Sequence, residues 1–267
     1  MTRFGRCALV VLACFILAGG SATVRGQERA GPWTIEYRTN ALLVGKTVEN
    51  SAAAGTVSVE LTNTSGRPIS AIRLEAGPHG YGARVDFASA ERYLEPGATY
   101  VFALRPRPED QDGILRVCAV LYSDGTAHGD PVAIDRLRFR RMGEALESRR
   151  WIAALFGRGH KPLLDDASIA ALLASSRSRP KSLEDALSDL TVAPQSTAIL
   201  RGASGEVIEA FLSGVATQRS GYSSLLKQVA ESPVGLRAKL LADRAPQLRK
   251  SAETLLLHSI RDMGAEE

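Results

Sequence analysis

From Trp33 onward the chain alternates apolar and polar residues with a period of two. Trp33, Ile35 and Tyr37 are interleaved with Thr34, Glu36 and Arg38. Val57, Val59 and Leu61 are interleaved with Ser58 and Glu60, and Tyr100, Phe102 and Leu104 keep the same rhythm. An extended chain points successive side chains to opposite faces, so each run predicts a strand with one buried and one wet face. Residues 69–75 and 114–122 predict two more. The second is apolar on both faces and reads as a central strand. Breaker clusters separate the runs: Asn63 to Pro68, Gly77 to Gly82, and Asp124-Gly125, which predicts a two-residue type I′ hairpin turn. Six or seven short strands within about 100 residues predict an antiparallel β-sandwich.

After Asp130 the rhythm changes to three-and-four spacing. Asp130 suits an N-cap and Pro131 the first helical position. Val132, Phe139, Met142, Leu146, Ile152 and Phe156 fall near one stripe. A conflicting signal is present, because Leu137 and Phe139 also alternate with Arg136, Arg138 and Arg140; the cap decides for a helix. Residues 164–176 predict a second helix. Ser182 to Asp185 resembles a capping box and opens a short helix to Leu190. Ser204 is expected to cap a long helix carrying Ile208, Phe211, Leu212, Val215, Tyr222, Leu225, Leu226 and Val229, which Pro233 stops. Leu236 and Leu240 mark the next helix. Pro246 kinks or restarts the chain before Leu248, Leu255, Leu256 and Ile260. The fold class expected is α+β: an N-terminal antiparallel sandwich over 33–130, then an all-α region over 131–267.

Several strand and turn segments carry a resemblance. Val59 to Ser65 followed by Pro68-Ile69 resembles a strand pair of bacterial immunoglobulin-like or fibronectin-type modules. Leu94-Glu95-Pro96-Gly97 leading into Tyr100 is similar to the turn before a late strand in such modules. Ala119 to Thr126 with Gly129-Asp130 resembles a segment of exported bacterial proteins of unknown function. The resemblance spans roughly residues 33–130 and implies an immunoglobulin-like sandwich. The cysteine pair of the immunoglobulin group is absent. The resemblance implies no activity, because a fold of this kind hosts many.

The first residues change the picture of compartment. Arg3 and Arg6 precede an apolar run from Cys7 to Ala18, and four small residues follow. That layout predicts a signal peptide over residues 1–22, cleaved after Ala22, with 23–32 as a polar tether. The apolar run would rise only about 18 Å as a helix, against a hydrocarbon core of about 30 Å. Val11-Leu12-Ala13-Cys14 resembles a lipobox, but Phe15 to Leu17 extend the apolar run past the cysteine. The expected location is therefore periplasmic or secreted, with no transmembrane segment in the mature chain. Cys118 is the one cysteine outside that segment, so no intrachain disulfide is expected.

Charge excludes one class of partner. Without Arg3 and Arg6, the 33 basic residues fall to 31 against 29 acidic ones. Neither half has the one-sided charge of a nucleic-acid binder, so no nucleic-acid partner is expected.

Candidate chemistry is sparse. Cys118 lies within an apolar strand and reads as a buried small hydrophobe. Gly202-Ala203-Ser204-Gly205 falls one residue short of a nucleophile elbow. His79, His128, His160 and His258 are far apart; only the loop residues His79 and His128 are candidates to meet. Asp165-Asp166 reads as first-turn acids. No catalytic, cofactor or metal residues are therefore assigned. The candidate interaction surface has two parts. One is the glycine-rich loop with His79 and Tyr81, since loops on rigid sandwiches carry contacts. The other is a basic flank of Arg138, Arg141 and Arg149 with Trp151, suited to an acidic partner or anionic surface. The function expected is an exported protein-interaction or structural module with a protein or envelope partner. The alternatives are an enzyme with a site at the sandwich–helix junction, and carbohydrate or peptide binding by the loops around Tyr81.

Overall fold

Strands occupy the N-terminal part of the chain and helices the C-terminal part. The computed structural model describes residues 34–37, 43–49, 57–76, 81–88, 92–104, 114–156, 166–177 and 179–260. The signal-peptide, tether and lipobox readings, His79, His160 and Asp165 lie outside these residues.

Among the described residues eight strands make two sheets. They are β1 (Thr34–Tyr37), β2 (Leu43–Glu49), β3 (Val57–Asn63), β4 (Ile69–Ala76), β5 (Tyr81–Asp86), β6 (Thr99–Leu104), β7 (Ile114–Tyr122) and β8 (Ala127–Gly129). The first sheet runs β1-β7-β4-β5, with β8 also paired to β7; the second runs β2-β3-β6. Every pairing is antiparallel except β1 with β7, which is parallel and departs from the all-antiparallel expectation.

β7 is central, as its apolar composition predicts. Its partner ladder with β4 shifts register between Ile69 and Ala71 and again between Arg73 and Leu74. Those bulges let Ile69, Ile72 and Leu74 share one face with Leu115, Val117, Val120 and Tyr122. Leu61 of β3 and Leu94 join that cluster. The opposite face, with Ala71, Cys118, Ala119 and Leu121, packs on Ala133 and Leu137 of the first helix. Ser70, at the first bulge, donates its hydroxyl to the Leu121 and Tyr122 carbonyls, so the interrupted ladder leaves its polar groups satisfied.

The turns follow their residue chemistry, with one correction. Asn63 is fully buried. Its amide nitrogen donates to the Arg67 and Leu94 carbonyls, and its oxygen accepts from the Ser65 backbone and hydroxyl. The Asp124-Gly125 connection is longer than the two-residue turn expected. The Gly125 N–H closes on the Tyr122 carbonyl, Gly125 sits at φ 88°, and the Asp124 carboxylate takes the Thr126 N–H and hydroxyl. The aspartate bonds its own loop and so widens the turn.

Among the described residues six helices follow: α1 (Pro131–Phe156), α2 (Asp166–Arg177), α3 (Leu183–Asp189), α4 (Pro194–Gly202), α5 (Gly205–Glu231) and α6 (Val234–Ile260). The Asp130 carboxylate accepts from the Ala133 N–H, so the cap predicted at Asp130 decides helix over strand for α1. Ser182 caps α3 through the Asp185 N–H, and Asp185 reaches back to the Lys181 N–H. Ser204 stands at the N-cap of α5, but its carbonyl rather than its side chain does the bonding. Pro246 neither ends nor restarts a helix; α6 continues through it.

Gly31–Glu267 form one compact unit. Within it, α1 lies across the β4–β7 face and is covered on its other sides by α5 and α6. Phe139, Met142 and Leu146 pack with Phe211 and Val215 of α5 and with α3 and α4. Trp151, Leu155 and Phe156 pack with Tyr222, Leu226 and Val229 of α5 and with Leu241 and Ala245 of α6.

Candidate functional site

The crossing of α1 and α5 is set by two glycines. A Cβ on Gly143 would stand 2.3 Å from the Phe211 carbonyl oxygen, and one on Gly214 would stand 2.2 Å from that of Arg140. Only glycine allows backbones this close.

Around this crossing, charged side chains are buried in pairs. Arg141 is fully buried. Its guanidinium bonds both Asp86 oxygens, at 2.8 and 3.0 Å, and the Ser70 carbonyl at 2.9 Å. Arg84 bridges Asp86 and Glu144, at 3.2 and 2.6 Å. Arg140 also bonds Glu144 and reaches Ser213 and Thr217 on α5. Burial alone raises the Asp86 carboxyl, but the Arg141 and Arg84 guanidiniums outweigh it, helped by bonds from Arg141 and the Ala88 N–H. The group is held below the usual carboxylate range. Burial also opposes the charge on Arg84, and Glu144 and Asp86 overcome it, so that guanidinium is held more firmly charged than usual.

A third buried carboxylate, Glu147, accepts from Trp151 Nε1 at 2.7 Å, from Arg150 at 2.6 Å and from Arg219 at 3.0 Å; Arg219 continues to Asp189. Trp151 stacks on Tyr222 with ring centroids 5.5 Å apart. Burial, opposed by a bond with Ser148 and aided by the Glu147 charge, pushes the Tyr222 phenol up to about 12. Gln218 donates to Ser148 at 2.7 Å.

Grooves lined by described residues open beside this core, a larger and a smaller one. The larger, about 670 Å³, lies between α5 and α6. Its apolar surface comes from Tyr222, Leu225, Pro246 and Leu248. Its polar surface comes from glutamines and serines of both helices, with Arg244 and Lys250; among the described residues no aspartate or glutamate lines it. The smaller, about 300 Å³, lies between α1 and α6 and is lined by Arg149, Phe156 and Arg249 among others. The Arg249 guanidinium stands 5.4 Å from the Phe156 ring centroid.

No family model, no curated protein and no solved structure matches the chain.

The surface read from the sequence is divided by this geometry. Arg141 and Trp151 are fully buried, so neither offers its side chain to a partner. Arg141 turns to the sheet because Asp86 waits there, and Trp151 because Glu147, one turn earlier, takes its N–H. Arg149 is exposed and lines the smaller groove. Arg138 is half-buried and donates to the Gly125 carbonyl. Tyr81 opens β5 opposite Ala76. Cys118 is buried, as expected. Asp166 stands in the first turn of α2 and pairs with Arg237. Among the described residues no three metal-ligating side chains gather, and no helix is long and apolar enough to cross a membrane.

The sequence reading missed the lining of the larger groove. Its signals are two helix-disfavouring residues, Gly221 in the middle of α5 and Pro246 in the middle of α6, both facing the same space.

Proposed function

We propose that this chain is an exported interaction module. Residues 33–130 form an immunoglobulin-like sandwich that serves as scaffold, and residues 131–267 form a helical platform that holds a partner. The sandwich is supported by the shared core in which Leu61 of the second sheet meets β4 and β7 of the first. The single observation that carries the functional reading is the groove between α5 and α6. Its walls are two helices that both lean on α1, which the buried Arg141–Asp86 and Arg84–Glu144 pairs fix to the sheet. A rigid concave surface at the junction of packed elements suits binding. The charged cluster at the sheet–helix seam favours this reading over an enzyme at the junction. Acid–base work needs a carboxyl poised near neutral pH, and Asp86 is instead held ionised by two guanidiniums.

Site-specific photo-crosslinking in producing cells tests the proposal. Probes at Gln228 and Gln247, on the groove, are expected to capture one partner on a chain whose first residue is Thr23. Probes at the exposed Glu209 and Asp135 are expected to leave it uncaptured. Equal capture at all four sites, or none, contradicts the groove as the interface; a chain retained with its first residues contradicts export.

A further inference from the structure

We infer that the groove between α5 and α6 takes an extended acidic peptide segment of a partner protein, with one apolar side chain seated over Gly221. The inference rests on the interaction-module reading and adds the chemistry of the occupant.

Gly221 is the first observation. The glycines at 143 and 214 are demanded by the α1–α5 crossing. Gly221 is demanded by nothing in the fold: a Cβ there would meet only the Gln218 Oε1, at 3.8 Å. A glycine within a long helix weakens it relative to alanine. What the missing side chain does is keep space open beside Tyr222 and Leu225, the apolar part of the groove wall. The volume, about 670 Å³, lies within the span of ligand pockets, about 300–1,000 Å³.

The polar lining selects the class of occupant. The exposed Gln228 and Gln247 bring side-chain amides that both donate and accept, and Gln218, whose amide already donates to Ser148, adds its Oε1. A peptide backbone offers a donor and an acceptor at every residue and matches such groups. The body of an acyl chain offers neither, so a lipid lying over Gln228 and Gln247 would leave those two amides unmatched. Charge sets the sign. Among the described residues Arg244 makes no ion pair and shares the groove with Lys250 and no carboxylate; it is exposed. A guanidinium at the edge of a groove pairs with a carboxylate through two parallel bonds.

The test is fluorescence anisotropy of the full chain with short labelled peptides. Three pools alternate leucine, valine or phenylalanine with acidic, basic or neutral polar residues, and sodium laurate is a fourth probe. The acidic pool is expected to bind, and to bind more weakly as salt rises. Arg244→Glu is expected to lower its affinity about tenfold or more. Gly221→Phe, which fills the seat, is expected to abolish binding, while Gly221→Ala retains it. Circular dichroism checks that each variant is folded. If Gly221→Phe does not fold, Gln247→Glu, an exposed change in the groove wall, replaces it with the same expected loss. The inference is overturned if the acidic pool fails to bind, if the basic pool binds equally, if laurate alone binds, or if Arg244→Glu leaves the acidic pool unaffected. Crosslinks at Gln228 and Gln247 that persist while the acidic pool fails would remove the ligand class and leave the interaction reading standing. Loss of both would remove both.

Discussion

Arg141 shows what a single residue contributes and why its role was hidden. A fully buried guanidinium is costly unless its charge and donors are met. Asp86 meets the charge and takes two bonds, from Nε and Nη2, and the Ser70 carbonyl takes a third, while Nη1 is buried without a hydrogen-bond partner among the described residues. Removing one partner strands the other charge in the interior. Asp86→Asn or Arg141→Met is therefore expected to cost about 3–5 kcal/mol, read from the shift of the urea midpoint. A change below about 0.5 kcal/mol, typical of surface sites, would contradict the account. The pH dependence follows from the sign of the shift. The folded-state pKa of Asp86 lies below its unfolded value. Its contribution is thus complete above the unfolded carboxyl range, about pH 4, and is lost as pH falls through the folded value. Asp86→Asn should flatten the acid limb of the stability curve and leave its slope above pH 5 unchanged. The sequence offered Arg141 only as one of several arginines on a helical flank. Asp86 stands 55 residues earlier, and pairing over that distance has no local signature. Trp151 was misplaced although its partner Glu147 is only four residues away, because the residues that cover this turn, Arg219 and Tyr222, stand far along the chain on α5.

At the scale of elements, local chemistry was legible and helical stripes were less so. The caps at Asp130 and Ser182 depend on near neighbours, and both stand where the sequence put them. α1 shows no clean apolar stripe because it has no wet side through its middle: every residue from Arg141 to Ser148 is buried, with the sheet on one side and helices on the others. The charged residues of that stretch, Arg141, Glu144 and Glu147, are inside and paired, so periodicity alone could not separate helix from strand. α4 escaped the reading because it is nine residues long and begins Pro-Gln-Ser-Thr; Pro194 at its first turn was the available signal. The three glycines of the α1–α5 pair give an element-scale prediction. Gly143→Ala and Gly214→Ala force backbones apart and are expected to destabilise by about 1–3 kcal/mol. Gly221→Ala makes only an ordinary contact with the Gln218 Oε1 and is expected to stabilise by about 0.5–1 kcal/mol. Thermal unfolding of the three variants checks the order, and a loss at Gly221 equal to the others would contradict the packing described.

At the scale of the molecule, the change of rhythm near Asp130 marks a change of element type inside one compact unit. The order of strands then helices was legible from periodicity. That α1 would cover the sheet face of Ala71, Cys118 and Leu121 was not, because those residues look alike whether a helix or a second sheet lies over them. The buried pairs at the seam and the small residues facing α1 imply that sheet and platform lose structure together. Native-state hydrogen exchange resolved by mass spectrometry tests this most directly. Amides of β4, β7, α1 and α5 are expected to open with one common free energy, and Asp86→Asn is expected to lower all of them equally. Sheet amides that open at a lower free energy than those of α1 and α5, or a variant that weakens only one half, would contradict it.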